Sequence, residues 1–339
     1  MISVFALTTR GLERVCAREM ARCGLAVDEM GYRRVHAQAR GDLHPLLTLS
    51  TADDIFLEIV RWSSISHTRA ALNTFQELGG EIDLHHALAL CAQLRPIARQ
   101  PLFSVTTNFV GRRNYSADEI KTALAAGIES SHGWRYTPDD GAAAFNVRLF
   151  IEHDQALVGV RLGATPLHRR SYKQEQRPGS LKPTVAAALL EMLDLQPGQT
   201  LLDPCCGAGT ILVEAALRGG LAQGGDSDAD AVVAACTNAT HAGVSLAVEQ
   251  WDARSLPLAD GSVACIASNL PWNRQVAIDE DETRFYAHLC AEMERVLAPD
   301  GRIALLTNRP TLLHFLGLTC REQMEISLFG QTPTIGVYG

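Results

Sequence analysis

The pattern of hydrophobic and polar positions along the chain changes near residue 183. Before this point, short stretches of alternating apolar residues are separated by runs with helical spacing, as in the strand Val4–Leu7 and the helical run Gly11–Cys23. The order up to residue 60 is β-α-β-β-α. Two helical runs, a strand, a helix with a capping box at Ser116 and a hairpin follow. We therefore predict two α+β domains, residues 1–60 and 61–165.

From residue 183 onward, predicted strands and helices alternate. A helix leads into the short strand Thr200–Asp203, and the alternation continues to about residue 307. Strands that alternate with helices form a parallel sheet covered on both faces. The last two predicted strands are joined by a tight turn and would add an antiparallel hairpin. We predict a Rossmann-like, doubly wound α/β domain over residues 183–339, preceded by a basic linker with Pro and Gly at 166–182.

The composition is typical of a globular protein without a membrane span. Hydrophobic residues make up 47% of the chain, but no apolar run approaches the ~18 residues that a membrane helix needs. The first residues lack the charged start and apolar core of a signal peptide. The nine cysteines include no C-x-x-C pair, which argues against disulfide frameworks and zinc sites, and the histidines, His85 and His86 included, lack metal-ligand spacing. We expect a cytoplasmic monomer that needs no metal.

The net charge of −8 is unevenly distributed. Residues 1–180 carry 21 Lys and Arg against 19 Asp and Glu, whereas residues 181–339 carry 9 against 19. The stretch 161–182 holds six Lys and Arg and one acid, Glu175. Such asymmetry is typical of a polyanion-binding module joined to a different domain, although a solvated linker has the same composition.

A glycine-containing turn follows the strand Thr200–Asp203. Its sequence is Asp203-Pro-Cys-Cys-Gly-Ala-Gly-Thr210, in which Gly207 and Gly209 let a ligand approach the backbone closely. The dinucleotide fingerprint needs a third glycine where this chain has Leu212, and no Gly-Lys-Ser/Thr follows, so neither nucleotide-binding loop is present. A carboxylate at Asp203 would repel a pyrophosphate and suits a cationic group. The turn favours S-adenosylmethionine, with Asp203 near its amino acid moiety.

Two more acids follow the next predicted strands. Asp226 closes the strand Leu221–Asp226, where such folds hold a ribose diol. Asp252 follows the strand after it, where it could accept a hydrogen bond from an adenine amino group. Each acid alone fits a solvated turn better. Because the carboxyl ends of parallel strands meet at one edge of the sheet, the three acids together predict a ligand-binding edge.

The fourth predicted strand of this domain ends in Asn269-Leu-Pro-Trp272. A Trp in a loop exposes a large apolar face unless another ring stacks on it. The exocyclic amine of a base is a weak nucleophile because its lone pair is delocalised into the ring. Asn269 Oδ1 and the Leu270 carbonyl could accept its two hydrogens, Pro271 could fix the turn, and Trp272 could stack on the base. The same residues also fit a plain strand end with the Trp packed on the core.

Several motifs together resemble one enzyme family. Asn269–Trp272 resembles the Asn/Asp-Pro-Pro-aromatic signature of amino-methylating S-adenosylmethionine enzymes, in the Leu-Pro variant of RNA guanine-N2 methyltransferases. Asp203–Thr210 is similar to their D-P-x-C-G-x-G-T motif. Leu167–Tyr172 and Leu181–Pro183 are similar to the passage between a THUMP domain and its methylase, and Phe5–Glu13 resembles the N-terminal ferredoxin-like domain of these enzymes.

The resemblance implies a THUMP-domain RNA guanine-N2 methyltransferase. Its parts would be a ferredoxin-like domain at 1–60, a THUMP RNA-binding domain at 61–165 and, after the basic linker, a class I methyltransferase domain at 183–339. The implied reaction transfers a methyl group from S-adenosylmethionine to the N2 amine of a guanine in tRNA, at position 6 of the acceptor stem. One departure from the pattern is Asn273, where a glycine often follows the aromatic residue.

The resemblance and the motifs together assign the site residues. The catalytic residues are Asn269, Leu270, Pro271 and Trp272. The cofactor contacts are Asp203, Pro204, Gly207, Gly209, Thr210, Asp226, Asp252 and Asn269. The RNA contacts are Arg112, Arg113, Arg169, Arg170, Lys173 and Lys182.

Other interpretations stay open at this point. A methyltransferase of an rRNA guanine, a DNA adenine or a protein glutamine would use the same four residues, although the DNA and protein enzymes have no need of a THUMP-like module and a basic segment. A non-catalytic RNA-binding protein could have kept the cofactor fold, but the residues that argue against this are intact: Asp203, Asp226, Asp252 and Asn269. Pro204-Cys205 also matches the nucleophile of cytosine-C5 methylases. In those enzymes it follows the fourth strand, so we interpret Cys205 and Cys206 as packing residues.

Overall fold

The computed structural model describes residues 1–272 and 281–339, which fold around two β-sheets. The first sheet has eight strands and the second has seven. Within the described residues, no helix combines the length and the apolar character needed to cross a lipid bilayer. Asn273, at which the chain departs from the family pattern, lies outside the described residues.

The N-terminal half forms the eight-stranded sheet. Its elements are β1 (Ile2–Leu7), α1 (Glu13–Arg22), β2 (Ala26–Gly31), β3 (Arg34–Ala39), a 3₁₀ helix (His44–Thr48), β4 (Asp54–Trp62), α2 (Ala70–Glu81), α3 (His85–Leu94), β5 (Leu102–Val110), α4 (Ala117–His132), β6 (Arg135–Tyr136), β7 (Phe145–Glu152) and β8 (Gln155–Arg161). The strand order is β2-β3-β1-β4-β8-β7-β5-β6, antiparallel except that β5 runs parallel to β6 and β7. The predicted capping box is present at α4, where Ser116 and Glu119 exchange side-chain to backbone hydrogen bonds.

Strand β4 is absent from the sequence prediction because its first half, residues 54–57, is buried on both faces. Ile55 and Leu57 belong to the main core, whereas Phe56 on the other face stacks on Phe5 with ring centroids 5.2 Å apart. A strand that is buried on both sides lacks the alternation by which strands are recognised. The proposed boundary at residue 60 falls within β4, and strands from both sides of it join one sheet. The division into two N-terminal domains stays a prediction.

The C-terminal half forms the seven-stranded sheet. Its elements are α5 (Pro183–Leu193), β9 (Thr200–Asp203), α6 (Thr210–Leu217), β10 (Leu221–Asp226), α7 (Ala229–Ala242), β11 (Ala247–Gln250), β12 (Val263–Asn269), α8 (Glu282–Val296), β13 (Leu297–Thr307), a 3₁₀ helix (Pro310–Leu312), β14 (Cys320–Glu325) and β15 (Thr334–Tyr338). The strand order is β11-β10-β9-β12-β13-β15-β14. The first five strands are parallel and β15 is antiparallel to both neighbours, as the sequence predicts. The order reverses between β9 and β12, and ligands of such sheets bind at that crevice.

The predicted linker, residues 166–182, is packed between the two halves. His168 donates its backbone N–H to Asp53 O at 2.9 Å, and Tyr172 is buried and donates to Glu214 Oε1 at 2.8 Å. Asp53 in turn accepts from Thr184 Oγ1 at 2.8 Å and pairs with Lys182 at 2.6 Å. The segment therefore holds the two sheets in a fixed relation instead of joining them loosely.

Candidate active site

A cavity of about 340 Å³ lies at the carboxyl ends of the parallel strands and brings most of the predicted site residues together. Its lining includes Asp203 from the end of β9, Asp226 from the end of β10, Asp252 after β11 and the segment Asn269–Trp272 after β12. Pro204, Gly207 and Thr210 from the glycine turn line it as well. The sequence prediction of one ligand-binding edge agrees with this arrangement.

The two glycines of the turn have different structural roles. Gly207 lines the cavity with φ of 52°, and a Cβ added there would meet no atom within 4 Å, so it would project into the space where a ligand would lie. Gly209 has φ of 73°, and a Cβ there would come within 2.8 Å of Ala235 Cβ. Gly209 is not among the residues that line the cavity. It therefore allows α6 and α7 to approach, whereas Gly207 leaves room for a ligand.

Asp203 is buried at the bottom of this site. It accepts hydrogen bonds from Ser268 Oγ at 2.7 Å and from Cys205 N at 3.2 Å. Burial raises the pKa of Asp203 to about 7, although the hydrogen bond from Ser268 acts in the opposite direction. A cationic group beside this carboxyl would favour its ionised form.

The other two acids differ in how firmly they are held. Asp226 accepts from Gly207 N at 2.9 Å and from Asp228 N at 3.1 Å, so its carboxylate is fixed by the glycine turn. Asp252 is exposed and paired with Arg254 at 2.6 Å, and hydrogen bonds from Arg254 lower its pKa. An adenine amino group at Asp252 would therefore share the carboxylate with this guanidinium.

Asn269 and Trp272 present polar atoms without partners. Asn269 Nδ2 donates to Gly179 O at 3.1 Å, whereas Asn269 Oδ1 and Trp272 Nε1 are buried and have no hydrogen-bond partner among the described residues. A buried acceptor left unpaired is destabilising, by about 1–3 kcal/mol. Such an atom at the wall of a cavity is the expected feature of a site that binds a hydrogen-bond donor.

Three residues that sequence reasoning missed hold this site in place. Tyr286 of α8 is fully buried and donates to Pro271 O at 2.8 Å, which fixes the turn before Trp272. Asn238 of α7, also fully buried, donates to Ala208 O at 2.9 Å and accepts from the backbone of the linker segment. Trp251 donates to Pro204 O at 3.1 Å. The sequence offered one indication of the role of Asn238: it is a polar residue in the middle of an apolar helix face.

The thiols of the glycine turn behave as packing groups. Burial raises the pKa of Cys205 well above its usual range, and burial also raises that of Cys206. A nucleophilic cysteine needs the opposite shift. All nine cysteines of the chain are free thiols.

Most of the basic residues assigned to RNA are engaged within the protein. Arg170 pairs with buried Glu214 at 3.0 Å and donates to Ser50 O at 3.0 Å. Burial lowers the pKa of Lys173 to about 8, and its ammonium group donates to Leu181 O. Lys182 pairs with Asp53. These three side chains are therefore engaged in contacts within the protein, and their role in RNA binding stays a prediction.

The remaining three basic residues assigned to RNA lie closer to solvent. Arg113 is held by His153 O and by Tyr115 Oη, the latter at 2.9 Å. Arg112 and Arg169 are exposed.

A second cavity, also about 340 Å³, lies on the N-terminal sheet and was not predicted. Its floor is Phe150, with the guanidinium carbons of Arg34 and Arg148 each 5.4 Å from the ring centroid. Arg34 pairs with Glu152 at 2.6 Å, whereas Arg148 donates to Asn108 Oδ1 at 2.7 Å and makes no ion pair with any described residue. Arg148 Nε is buried without a partner. This is a cationic site with aromatic walls.

One group of side chains corrects the view that the histidines lack metal-ligand geometry. Ligand atoms of Asp83, His85 and His132 lie within 4.8 Å of one another. His132 Nε2 already accepts a hydrogen bond from Leu84 N at 3.2 Å, and its Nδ1 bonds Ser131 Oγ at 2.7 Å. Both ring nitrogens are thus in use, and we assign no metal to this group.

Comparison with known proteins gives a family for the C-terminal half. Residues 170–327 match the UPF0020 family, described as RMKL-like, methyltransferase domain. This part of the chain is a methyltransferase domain. The match includes every catalytic and cofactor residue predicted from the sequence.

Relatives with the same two halves are known. The chain is 33% identical over 215 residues to a tRNA (guanine(6)-N2)-methyltransferase of Thermus thermophilus, a match that covers 62% of this chain and 63% of that protein, which is less than two thirds of its length. The crystal structure of TrmN from Thermus thermophilus is similar over 100% of this chain and 99% of that one, with a TM-score of 0.81 and 26% identity. The predicted fold, a Rossmann-like methyltransferase domain preceded by α+β structure, is confirmed.

A further solved structure shares the fold alone. It is that of a predicted N6-adenine-specific DNA methylase from Listeria monocytogenes, with a TM-score of 0.77 at 19% identity and coverage of 100% of this chain and 96% of that one. This architecture therefore occurs in proteins that carry different substrate names.

Proposed function

We propose that the protein transfers a methyl group from S-adenosylmethionine to the N2 amine of a guanine in tRNA, at position 6 of the acceptor stem. One observation carries the proposal: Asn269 Oδ1 is buried and has no hydrogen-bond partner in the described part of the chain, and Asn269 lines, with Trp272, the cavity that holds the three aspartates. An amine that donates to this oxygen would satisfy it, and the Thermus relative is named for this reaction.

The residues around the cavity fit the cofactor. S-adenosylmethionine supplies an electrophilic methyl group on a sulfonium centre. Asp226, held by two backbone N–H groups, suits a ribose diol, and Gly207 leaves space beside it. Asp203 suits the ammonium group, because a cation there would offset the burial that raises its pKa.

The chain positions the nucleophile. Asn269 Oδ1 accepts one hydrogen of the guanine N2 amine, the Leu270 carbonyl accepts the other, and Trp272 stacks on the base. These contacts would direct the nitrogen lone pair at the methyl group that bound S-adenosylmethionine would supply, and the sulfur would leave with the electron pair of the broken C–S bond. The methylated nitrogen loses its extra proton to water. No general base is needed before transfer, since the proton leaves after attack.

The N-terminal cavity supports contact with RNA. Arg148 has no carboxylate partner among residues 1–272 and 281–339, and Arg33 is 3.8 Å from Asp53, so both can pair with phosphate. The free thiols support a reducing compartment such as the cytoplasm.

The test is single-turnover transfer of labelled methyl groups to tRNA transcripts, with chromatographic identification of the product nucleoside. Asn269→Ala should reduce the rate at least about 100-fold while cofactor and RNA still bind, because most phosphate contacts lie elsewhere. Asn114→Ala, at an exposed position outside both cavities, is the matched control.

Two outcomes would contradict the proposal. A near wild-type rate for Asn269→Ala would exclude the amine-orienting mechanism. A methylated product other than N2-methylguanosine, or transfer to DNA or to a protein in place of RNA, would replace the substrate.

A further inference from the structure

The turn between β14 and β15 has an unusual residue at its tip. Leu328 and Gln331 exchange backbone hydrogen bonds of 3.0 Å and 2.9 Å, so Phe329 and Gly330 form a two-residue hairpin turn. Phe329 has φ of 52° and Gly330 has φ of 73°. Positive φ at both central residues defines a type I′ turn, in which Asn, Asp and Gly are preferred.

A Phe at this position is unfavourable for folding. The left-handed region is strained for a bulky L-residue, and Asn would relieve that strain. The ring gains little from burial in return, because 56% of its surface is exposed. Neither backbone preference nor packing therefore explains why the turn carries Phe. Strain of this kind points to a function of the side chain.

The position of Phe329 indicates which function. Phe329 and Gln331 line the same cavity as Asn269 and Trp272, so the ring stands at the mouth of the site that would receive the base. The hairpin is braced from behind by the N-terminal half, since Ser327 N donates to Arg10 O at 2.9 Å. Gly11 packs so closely that a Cβ there would come within 2.1 Å of Glu325 O. The tip of the hairpin therefore carries an apolar ring, and the hairpin behind it is held by contacts with the N-terminal half.

We infer that Phe329 enters the base stack at the target nucleotide and fills the space that the guanine leaves. This inference rests on the proposed function. A guanine paired in an acceptor stem must leave the helix before its N2 amine can reach Asn269. The equilibrium constant for unstacking the base is unfavourable by a factor of several to several hundred. An aromatic ring inserted between base steps offsets part of this, as apolar wedges do in other nucleic acid complexes.

The experiment compares two RNAs in single-turnover methyl transfer. One is a tRNA transcript with the target guanine paired, and the other has an abasic site opposite the same guanine. Phe329→Asn, which suits a type I′ turn, should reduce the rate about 10- to 100-fold on the paired RNA and less than about threefold on the abasic one. Phe329→Tyr should restore the rate on the paired RNA. Leu316→Asn, an exposed apolar residue away from the cavity, is the control and should match wild type on both RNAs.

Each of the other possible results contradicts one specific claim. An unchanged rate of Phe329→Asn on the paired RNA overturns the wedge. An equal loss on both RNAs also overturns it and makes Phe329 a contact of the bound base. If the wild-type protein methylates neither RNA, the proposed function itself fails, and this inference falls with it. Thermal unfolding of Phe329→Asn should occur at or above the wild-type temperature, which separates these results from misfolding.

Discussion

The two cavities have the same volume, about 340 Å³, and opposite lining charge. The cavity of the parallel sheet has Asp203, Asp226 and Asp252 at successive strand ends. The cavity of the N-terminal sheet has five Arg and Lys against three acids, and Arg148 lacks an ion pair with any described residue. A net charge of −8 for the whole chain therefore conceals a cationic site. Local charge, and whether it is already paired, decides what a surface can bind.

The cavities also differ in how their charged groups are arranged. In the parallel sheet, the strand ends gather acids from far apart in sequence around the crevice, where backbone N–H groups fix Asp226. In the N-terminal sheet, the guanidinium groups of Arg34 and Arg148 both lie close to Phe150, each 5.4 Å from the ring centroid. The first arrangement suits one small ligand of defined shape. The second suits phosphate and stacked bases, whose positions vary more.

The segment between the cavities contacts both. Pro166, His168 and Lys182 line the cationic cavity, and Arg177 to Leu181 line the acidic one. Its basic residues look from the sequence like RNA contacts, but Arg170 and Lys173 are bound internally. The segment therefore fixes the distance between the two cavities.

The largest expected effect tests this structural role. Arg170→Gln should lower the free energy of unfolding by ~3 kcal/mol, because Glu214, whose side chain is 4% exposed, would lose its cation. Arg169→Gln at the exposed neighbour should change it by less than ~0.5 kcal/mol. Denaturant titration of both variants measures the difference. If both variants have the same free energy of unfolding, and RNA binding by Arg170→Gln depends less on salt than that of the wild type, then Arg170 contacts RNA and does not act as a structural residue.

An intermediate effect concerns the pH dependence of the acidic cavity. Burial raises the pKa of Asp203 to about 7, so this carboxyl is mostly protonated at pH 6 and mostly ionised at pH 8. Affinity for cationic S-adenosylmethionine should rise up to ~tenfold over that interval, and Asp203→Asn should remove the dependence. Calorimetric titration at several pH values measures this affinity.

The same carboxyl also makes stability depend on pH. Between pH 3.8 and about 7, Asp203 stays protonated in the folded protein but is ionised in the unfolded chain, so the free energy of unfolding of the unliganded protein should fall as the pH rises through this range.

An affinity of the wild-type protein that does not vary between pH 6 and pH 8 would show that Asp203 does not face the cationic part of the ligand. In that case the ammonium group would need another partner among the cavity residues.

The smallest expected effect concerns the cationic cavity. Arg148→Gln should weaken RNA binding by a few-fold and reduce the slope of log affinity against log salt by about one, because one phosphate contact is lost. Affinity for S-adenosylmethionine should stay the same. Arg99→Gln, at an exposed position that lines neither cavity, is the control. An unchanged slope for Arg148→Gln would place the RNA on another face of the N-terminal half.

The sequence predicts the C-terminal half better than the N-terminal half for a physical reason. Parallel strands and their helices leave a strong local signal, so the boundaries of β9, β10, α7 and β15 follow from hydrophobic pattern and turn residues alone. Strand β4 leaves none, because Phe56 and Ile55 are buried on opposite faces. The pattern of apolar residues in a strand indicates how many of its faces are buried. It does not directly identify the strands that pair with it.

For the site, local residue patterns are enough to predict the side chains at each strand end: Asp203, the Gly207 turn, Asp226 and the Asn269–Trp272 segment. These residues can be recognised because ligand binding constrains which residue types occur in short stretches of the chain. Which charged side chains are paired depends instead on how distant parts of the chain fold together. Arg170 pairs with Glu214 and Lys182 with Asp53, both distant in sequence, while Arg148 pairs with no acid in the part of the chain that the structure describes. Pairing over such distances depends on how the two sheets pack, and no local pattern encodes it.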